Sequence, residues 1–372
     1  MKLTLEKKDL VTLLGRTQNI VEKRANMPIL INVLLEAESA SFRIFATNLE
    51  VSLTGQVVAK VASQGKIAVN AKNLFDIVKE LSDGEIELER RDNNWLRISQ
   101  GRAEFNMIGI SADEYPVFPT FETNEFTKIE SDVFLEMIEK TIYSVATDAA
   151  RYHLNGVFFE HKETHGKVVY RMVATDGHRL SMVDRETTQS RQFSNQEGVI
   201  IPHKGLNEIR KLLEGAEEAI ELAIEGPQLV VRQGDTVLLI RLIEGRYPNY
   251  QQLIPQSFNE VVLLSRETFL SSLKRVSLLS NQKSKGVTLA LSQSRMNITS
   301  NNPELGDAKE EIEIDYKGKD IKVAFNARYI LDILNSVNED IVQIHFNDQM
   351  SPGLLRPKDD PSYTCIVMPM RI

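Results

Sequence analysis

The segment with the clearest capacity for chemistry is Thr175-Asp176-Gly177-His178-Arg179. An aspartate and a histidine two residues apart, where a predicted strand runs into a turn, could supply acid–base catalysis or two metal ligands. Either function requires a third ligand or a nucleophile close by, and none stands out in the sequence. Asp-Gly is also typical of turns, so the sequence favours a turn bordered by polar residues over a catalytic centre.

A second polar group, Arg151-Tyr152-His153, precedes a predicted strand. A cation beside two ring side chains is suited to contact phosphate and to stack on nucleic-acid bases. A solvated loop explains the same three residues equally well. Both interpretations remain open at this point.

Motifs of the common enzyme classes are absent from the sequence. There is no G-x-x-x-x-G-K-[ST], no G-x-G-x-x-G after a strand, no H-E-x-x-H, no C-x-x-C and no G-x-S-x-G. The single cysteine, Cys365, cannot form an internal disulfide and lies in an apolar strand, where a small buried side chain is expected. We therefore predict no catalytic residue, no metal site and no cofactor.

The elements that must position these residues occur three times along the 372-residue chain. Each copy begins with a short strand and an amphipathic helix, whose apolar positions are Leu5, Leu10 and Leu14; Ile129, Phe134 and Ile138; and Leu264, Phe269 and Leu273. Two strands and a turn follow, at Thr47, Thr175 and Ser300. A second helix comes next, with apolar positions Leu74, Ile77 and Leu81; Leu206, Ile209 and Leu213; and Ile330, Ile333 and Val337.

After each second helix the apolar period falls to two, which predicts further strands. Each copy is therefore a strand, helix, strands, helix, strands unit of ordinary domain size. We predict an α+β fold made of three pseudo-repeated domains, each with two helices packed on antiparallel sheet. The predicted domains, called the first, second and third repeats below, are residues 1–125, 126–253 and 254–372.

Composition and charge narrow the class of partner. Hydrophobic residues make up 42% of the chain, and no apolar run approaches the ~18 residues that a membrane helix needs, so we expect a cytosolic protein. The formal net charge of −8 argues against a polyanionic partner. Basic residues nevertheless recur on the helices, and Lys72, Lys204 and Arg328 are equivalent in the three second helices. A solvated helix face explains any one of them, but their recurrence at one register is explained equally well by a basic surface that guides a polyanion.

Five segments together resemble one protein family. They are Arg24-Ala-Asn-Met-Pro-Ile-Leu, Arg151-Tyr-His-Leu-Asn-Gly, Ala174-Thr-Asp-Gly-His-Arg-Leu, Glu244-Gly-Arg-Tyr-Pro-Asn-Tyr and the ending Val367-Met-Pro-Met-Arg-Ile372. With the threefold repeat, they make the chain similar to the bacterial beta sliding clamps, the processivity subunit of DNA polymerase III. The resemblance covers the whole chain, and A-T-D-G-H-R-L combined with the M-P-M-R ending is highly specific.

The resemblance implies a non-catalytic DNA sliding clamp. Clamps of this family are head-to-tail homodimers that close into a ring of six similar domains, with helices lining the hole and sheets outside. The basic helices would then face double-stranded DNA. The ring would hold the DNA by topology and independently of its sequence, since strong phosphate contacts would impede sliding.

The resemblance also implies three sets of site residues. A peptide-binding groove between the second and third domains would be formed by Leu154, Thr175, Gly177, His178, Arg179, Leu180, Pro248, Asn326, Tyr329, Met350, Pro352, Val367, Met368, Pro369, Met370 and Arg371. Contacts with DNA would come from Arg24, Lys72, Tyr152, His153 and Lys204. The dimer interface would place Phe105 and Met107 against Leu278 and Leu279. Gln252, Leu253 and His153 depart from the residues of familiar relatives.

The partners implied are the clamp loader, replicative and translesion DNA polymerases, mismatch repair proteins and DNA ligase. No membrane partner and no cofactor is expected, and the location implied is the cytoplasm, in association with the nucleoid. Two alternatives remain. A DNA-associated enzyme would need a catalytic constellation near His178, and a repeat scaffold without DNA function would lack the recurrent cations at Lys72, Lys204 and Arg328.

Overall fold

A computed structural model describes residues 1–21, 27–123, 125–164, 166–187, 198–216 and 218–371. The chain divides into two compact units. The first unit comprises Met1–Leu135 with Lys204–Leu242, and the second comprises Glu136–His203 with Ile243–Ile372. They do not follow the three repeats, because the strands of the second repeat are divided between them. The repeat boundaries remain a prediction.

The described residues contain two α-helices in each repeat, as predicted. These are α1 (Lys7–Thr17), α2 (Ala71–Glu80), α3 (Ser131–Glu139), α4 (His203–Leu213), α5 (Arg266–Ser277) and α6 (Ala327–Asn335). Short 3-10 turns lie at Pro28–Ile31, Asp92–Asn94, Ala112–Glu114, Ile142–Ser144, Ala149–Leu154 and Tyr250–Leu253. The described helices are all too short or too polar to cross a membrane.

The first unit is built on one thirteen-stranded antiparallel sheet. In spatial order its strands, numbered along the chain, are β10 (Thr127–Ile129), β15 (Ile220–Glu225), β16 (Gln228–Gln233), β17 (Thr236–Arg241), β4 (Val51–Val58), β3 (Ser41–Thr47), β2 (Asn32–Glu38), β6 (Gly65–Asn70), β9 (Ala103–Ile110), β8 (Trp95–Gln100), β7 (Glu85–Arg90), β1 (Lys2–Glu6) and β5 (Lys60–Ser63). Helices α1 and α2 pack against each other and against this sheet.

The second unit contains two antiparallel sheets. The larger has eight strands, in the order β14 (Val199–Pro202), β11 (Gly156–Thr164), β12 (Lys167–Thr175), β13 (Arg179–Glu186), β25 (Tyr363–Val367), β24 (Gly353–Pro357), β23 (Ile341–Phe346) and β18 (Glu260–Ser265). The smaller has four, in the order β21 (Gly306–Glu313), β20 (Arg295–Asn302), β19 (Gly286–Ser292) and β22 (Ile321–Asn326). Helices α5 and α6 pack together on these strands.

Burial confirms the helix faces predicted from apolar spacing, with one correction. All nine predicted apolar positions of the first strands and first helices are at most 4% exposed. In α2 the buried residues are Ala71, Leu74 and Val78, whereas Ile77 is partly exposed. After Leu74 the buried row therefore continues at i+4 and not at i+3, and both spacings keep side chains on one helix face.

Local side-chain bonds explain where two of the second helices begin. The Asn70 side chain accepts a hydrogen bond from the Asn73 amide at 2.9 Å, before α2. Asn326 accepts one from the Arg328 amide at 3.0 Å, before α6. An asparagine at this position satisfies one of the amides left unpaired at a helix start. The two equivalent lysine and arginine positions, Lys72 and Arg328, therefore lie in the first turn of their helices.

Strand pairing links the repeats by the same rule in both units. In the first unit, β4 follows the Thr47 turn and pairs with β17, with Val51 opposite Ile240. In the second unit, β13 follows the Thr175 turn and pairs with β25, with Arg179 opposite Val367. Each time, the strand after the turn of one repeat joins the last strand of the next.

Candidate functional site

The turn between β12 and β13 is organised by its own side chains. Asp176 Oδ1 accepts hydrogen bonds from the amides of His178 and Arg179, at 2.9 and 3.0 Å. Thr175 Oγ1 accepts from the Gly177 amide at 3.1 Å and donates to the Arg179 carbonyl at 2.6 Å. These are the side-chain to backbone bonds of an Asx turn. The turn predicted for this segment is therefore confirmed, and one carboxylate oxygen of Asp176 is committed to holding it.

Glycine is required at position 177 for two reasons. The Gly177 φ angle is +87°, in the left-handed region that favours glycine. A Cβ atom at this position would also lie 2.9 Å from Nη1 of Arg151. That nitrogen donates to the Asp176 carbonyl at 2.7 Å, so Arg151 covers the turn. The equivalent turn of the first repeat has Leu49 at φ 72°, without glycine.

Arg179 is not the rim residue that we expected, because its side chain is only 8% exposed. Its guanidinium donates to Asp176 Oδ2 at 3.1 Å and to Asp332 Oδ2 at 2.6 Å, and also to the Tyr143 carbonyl. It lies over two rings, 5.3 Å from the centroid of Tyr143 and 4.6 Å from that of Tyr329. A buried charge needs partners of this kind. The N–H groups of Arg179 therefore bond other parts of the protein and are not presented to a ligand.

An apolar cluster begins at Leu180, directly after the turn, and lies on central strands of the eight-stranded sheet. Leu180 packs in a buried cluster with Val173, Tyr250, Leu354 and Ile366. The neighbouring Tyr247 stacks on Phe158, with ring centroids 5.2 Å apart, and both flank the cluster. Burial, together with the hydrogen bond that the hydroxyl donates to the Glu160 carboxylate, raises the pKa of Tyr250 to about 12. The hydroxyl therefore stays protonated and the cluster remains uncharged.

The last residues of the described chain are bound to this region through their backbone. The Met368 amide donates to the His178 carbonyl at 2.8 Å, and the Met370 amide donates to the Ala324 carbonyl at 2.8 Å. Residues 368–371 thus run from the eight-stranded sheet to strand β22 of the four-stranded sheet. The Met368 side chain is 38% exposed, and His178 beside it is exposed as well.

The predicted groove residues separate by burial into three groups, all within the second unit. The buried ones are Leu154, Thr175, Arg179, Leu180 and Val367. The half-buried ones are Asn326, Tyr329, Pro352, Pro369 and Met370. The exposed ones are Gly177, His178, Pro248, Met350, Met368 and Arg371.

The contacts above bring together most of the set around the β13–β25 pair. Two further members make other contacts. The Leu154 carbonyl accepts from the Ala146 amide at 3.0 Å. Met350 is held in its own loop, where its amide donates to Asp348 at 2.7 Å.

Sequence reasoning missed three residues that organise this region: Tyr143, Tyr247 and Asp332. A fourth, Arg151, was singled out from the sequence, but as a possible phosphate contact. Asp332 stands four residues after Arg328 on α6, a spacing that places both on one helix face. No local pattern indicates that Asp332 meets an arginine 153 positions earlier in the chain.

The predicted DNA contacts are placed as follows, each within its own unit. In the first unit, the exposed Lys72 pairs with Asp76 at 2.9 Å, and Lys204 lies 3.8 Å from Glu50. The surface ion pair at Lys72 is of a weak type, so it leaves that cation available to a polyanion. In the second unit, the exposed Tyr152 meets the His153 ring edge-on at 5.6 Å. Arg24 lies outside the described residues.

The predicted dimer residues differ in exposure. Leu278 is 78% exposed just after α5, and Leu279 is half-buried. Phe105 is 38% exposed on β9, whereas Met107 is only 9% exposed and already packs inside the first unit. A side chain that is already packed adds little apolar area to an interface. Met107 is therefore a weaker candidate than Phe105 for direct side-chain contact.

Comparisons with known proteins identify the family. Models of the DNA polymerase III beta subunit match the chain in succession, with the N-terminal domain on residues 1–119, the central domain on 128–249 and the C-terminal domain on 251–371. The beta sliding clamps of Caulobacter vibrioides and Haemophilus influenzae are each 33% identical to the chain over the full length of both proteins. The chain belongs to the beta sliding clamp family.

Solved structures agree with this assignment. The pol III beta structure from Caulobacter crescentus covers 100% of both chains with a TM-score of 0.94 and 33% identity. The sliding clamp of Bartonella birtlesii, solved with griselimycin bound, has a TM-score of 0.95 and 30% identity. The predicted α+β fold of three domains is confirmed. Like its relatives, this clamp is a non-catalytic DNA polymerase III processivity factor, and the family implies DNA encirclement, dimerisation and contact with the polymerase.

Proposed function

We propose that two copies of this clamp close into a head-to-tail ring around duplex DNA through strands β21 and β9. The observation that carries this proposal is the pairing rule within the chain. The strand after the turn joins the last strand of the next repeat at β4–β17 and at β13–β25. The third repeat has such a strand, β21, and the first repeat has such a last strand, β9.

Both strands have unpaired edges among the described residues. Strand β21 pairs only with β20. Strand β9 pairs with β8 along residues 103–108 and with β6 only at Gly109 and Ile110. An open edge exposes amides and carbonyls that can pair with another chain. Joining β21 of one copy to β9 of the next repeats the internal rule, and a second contact of the same kind closes the pair.

The internal repeats also predict the register of this contact. In each repeat the turn residue pairs with a residue of the following strand: Thr47 with Ser52, Thr175 with Leu180 and Ser300 with Ala308. The residues just before those strand residues are therefore equivalent: Val51, Arg179 and Asp307. Gln100-Gly101 in the first repeat aligns with Gln233-Gly234 in the second, so Met107 is the residue equivalent to Ile240. Val367 occupies the same position in the pairing of the third repeat. Asp307 of one copy should thus lie opposite Met107 of the other, and Ala308 opposite Asn106.

The second part of the proposal is that the β13–β25 region, with residues 368–371, binds short peptides of partner proteins. These partners are the clamp loader, replicative and translesion polymerases, mismatch repair proteins and DNA ligase, and they would meet the clamp in the cytoplasm, at the nucleoid. Met368 and Met370 support this assignment, because flexible thioethers repack around different apolar anchors. The exposed His178, Pro248 and Arg371 would border the anchors with polar and rigid groups.

Retention on DNA tests encirclement directly. A clamp loaded on nicked circular DNA should persist and should leave once the circle is cut, because a ring can slide off only a free end. Replacing Lys72 and Lys204 by glutamate should weaken direct binding and loading, since phosphate contacts contribute mainly non-specific electrostatics. The measured quantity is the fraction of the clamp that co-elutes with the DNA in gel filtration. Equal retention on linear and circular DNA would rule out topological holding.

Asp332 provides a test of the peptide groove. The Asp332→Asn substitution should lower peptide affinity about tenfold, which corresponds to about 1.4 kcal/mol. The reason is that Arg179 would lose its 2.6 Å charged partner, and the Tyr329 ring that it supports would lose its fixed position. Asp332→Glu should restore part of the affinity. Fluorescence polarisation with a labelled polymerase peptide measures the effect.

The matched control is Asp340→Asn, an exposed residue five positions beyond the end of α6. It makes the same change of charge and should leave peptide affinity unaltered. Sizing should give the same dimer for both variants. If Asp332→Asn binds the peptide as tightly as the unmodified chain, Arg179 and Tyr329 do not form part of the groove.

A further inference from the structure

Three equivalent cations lie at the ends of the first helices of the repeats. Arg16, Lys140 and Arg275 each follow by two residues the buried Leu14, Ile138 and Leu273. All three are close to the C-terminal end of a helix, and the partial negative charge of that end acts on each of them in the same way. Their other partners differ, and this difference points to a site.

Lys140 and Arg275 are neutralised by carboxylates. Lys140 Nζ lies 3.0 Å from Asp360 and 2.8 Å from Glu136. Burial alone would raise the pKa of Asp360, but hydrogen bonds from Ser362 and Lys140 and the charges around it lower that pKa to about 2. Arg275 binds Glu310 with two nitrogens, one of them Nε at 3.0 Å.

Arg16 has a hydroxyl in place of a carboxylate. Its Nη1 donates to Thr236 Oγ1, and within the described part of the chain no carboxylate lies at ion-pair distance from it. The side chain is half-buried, and burial lowers the pKa of its guanidinium. A desolvated charge without a counter-charge is costly, so a bound anion would offset a cost that Lys140 and Arg275 do not bear.

Arg16 also lines a cavity of about 240 Å³ between α1, α4, β4 and β17, inside the first unit. Lys211 lies in the same wall, together with Asn19 and Thr12. The wall includes one carboxylate, Glu208, which is buried and bound to Lys211 at 2.8 Å. Two cations and one carboxylate leave one positive charge, and that charge is on Arg16.

We propose that this cavity is a phosphate site, in which Arg16 and Lys211 hold a phosphodiester of the DNA that the clamp encircles. A planar guanidinium can donate two parallel hydrogen bonds to two oxygens of one phosphate. The Thr236 hydroxyl accepts from only one of its nitrogens. Helices α1 and α4 are among those that would face the DNA, so the inference rests on the proposed function. The inferred phosphate contact at Arg16 is separate from the DNA contacts proposed for Lys72 and Lys204.

The test compares Arg16→Gln with Arg43→Gln, in fluorescence anisotropy with labelled duplex DNA over a range of salt concentrations. Arg43 is the matched control because the charge change is the same and its partner, Glu36, lies 3.7 Å away on the neighbouring strand β2. Arg16→Gln should weaken binding and reduce the slope of log affinity against log salt by about one. Arg16→Lys should keep most of the slope, and Arg43→Gln should leave it unchanged.

Inorganic phosphate, titrated by calorimetry, separates the two sources of the anion. Weak or undetectable phosphate binding, together with the reduced slope, supports the phosphodiester. Phosphate binding that depends on Arg16 without any change of slope would overturn the DNA assignment, as would equal slopes for the unmodified chain and Arg16→Gln. A clamp that fails to bind duplex DNA even at low salt would instead refute the proposal that the basic helices face DNA, and this site with it.

Discussion

Replacing Leu278 and Leu279 by alanine is expected to convert the dimer into folded monomers. Leu278 is 78% exposed in the single chain, so its removal costs little folding stability there. At a packed interface each lost leucine contact costs ~2 kcal/mol or more. Two such losses weaken dimerisation by about a thousandfold. Sedimentation velocity at micromolar concentration measures the effect, with circular dichroism to verify that the variant is folded.

Val261→Ala is the matched control for that substitution, because Val261 is an exposed apolar residue of the same unit on strand β18. It should remain dimeric. If the double leucine variant also remains dimeric at micromolar concentration, the assignment of the interface to the segment after α5 is wrong.

Disulfide trapping examines the same interface without weakening it. Cysteines at Asn106 and Ala308 should link two copies on oxidation, because the predicted register places these positions opposite each other within disulfide reach. Cysteines at Glu104 and Ala308 are two residues out of register and should link poorly. The native Cys365 is fully buried and does not compete. Efficient linkage only in the displaced pair would show that the internal repeats do not set the register.

Ending the chain at Val367 is expected to abolish peptide binding and to leave the dimer intact. The truncation removes Met368 and Met370, together with their backbone bonds to His178 and Ala324. Because binding energy is concentrated in a few central contacts, loss of two anchors should reduce affinity by about a hundredfold or more. The interface with a second copy involves other strands and should be unaffected. Fluorescence polarisation and sizing measure the two outcomes.

His178→Ala separates this assignment from the alternative of a catalytic centre. The Met368 amide bonds the backbone carbonyl of His178, so the substitution retains that bond and should reduce peptide affinity only modestly. A catalytic centre would instead require that His178→Ala destroy a chemical activity and leave partner binding intact. Unchanged peptide affinity in the truncated chain would refute the groove.

Local features of the fold could be predicted from the sequence because their causes are close together in the chain. The Thr175–Arg179 turn depends on bonds between side chains and amides two or three residues away. The buried helix faces follow from spacing alone, and the error at Ile77 arose because i+3 and i+4 both satisfy the same period. Recurrence of these signals three times indicated the repeat, and with the A-T-D-G-H-R-L segment and the M-P-M-R ending it indicated the family.

The sequence by itself thus determined the elements, the repeat and the family, whereas only the tertiary structure decided which charges are free. Arg179 was expected at a rim but is buried, because Tyr143 and Asp332 reach it from distant parts of the chain. Arg16, Lys140 and Arg275 look alike in sequence, and only folding gives two of them carboxylates and one a hydroxyl. The physical reason is that Asp360, Glu310 and Thr236 are distant in sequence from the cations that they meet, and they come within bonding distance only in the folded chain.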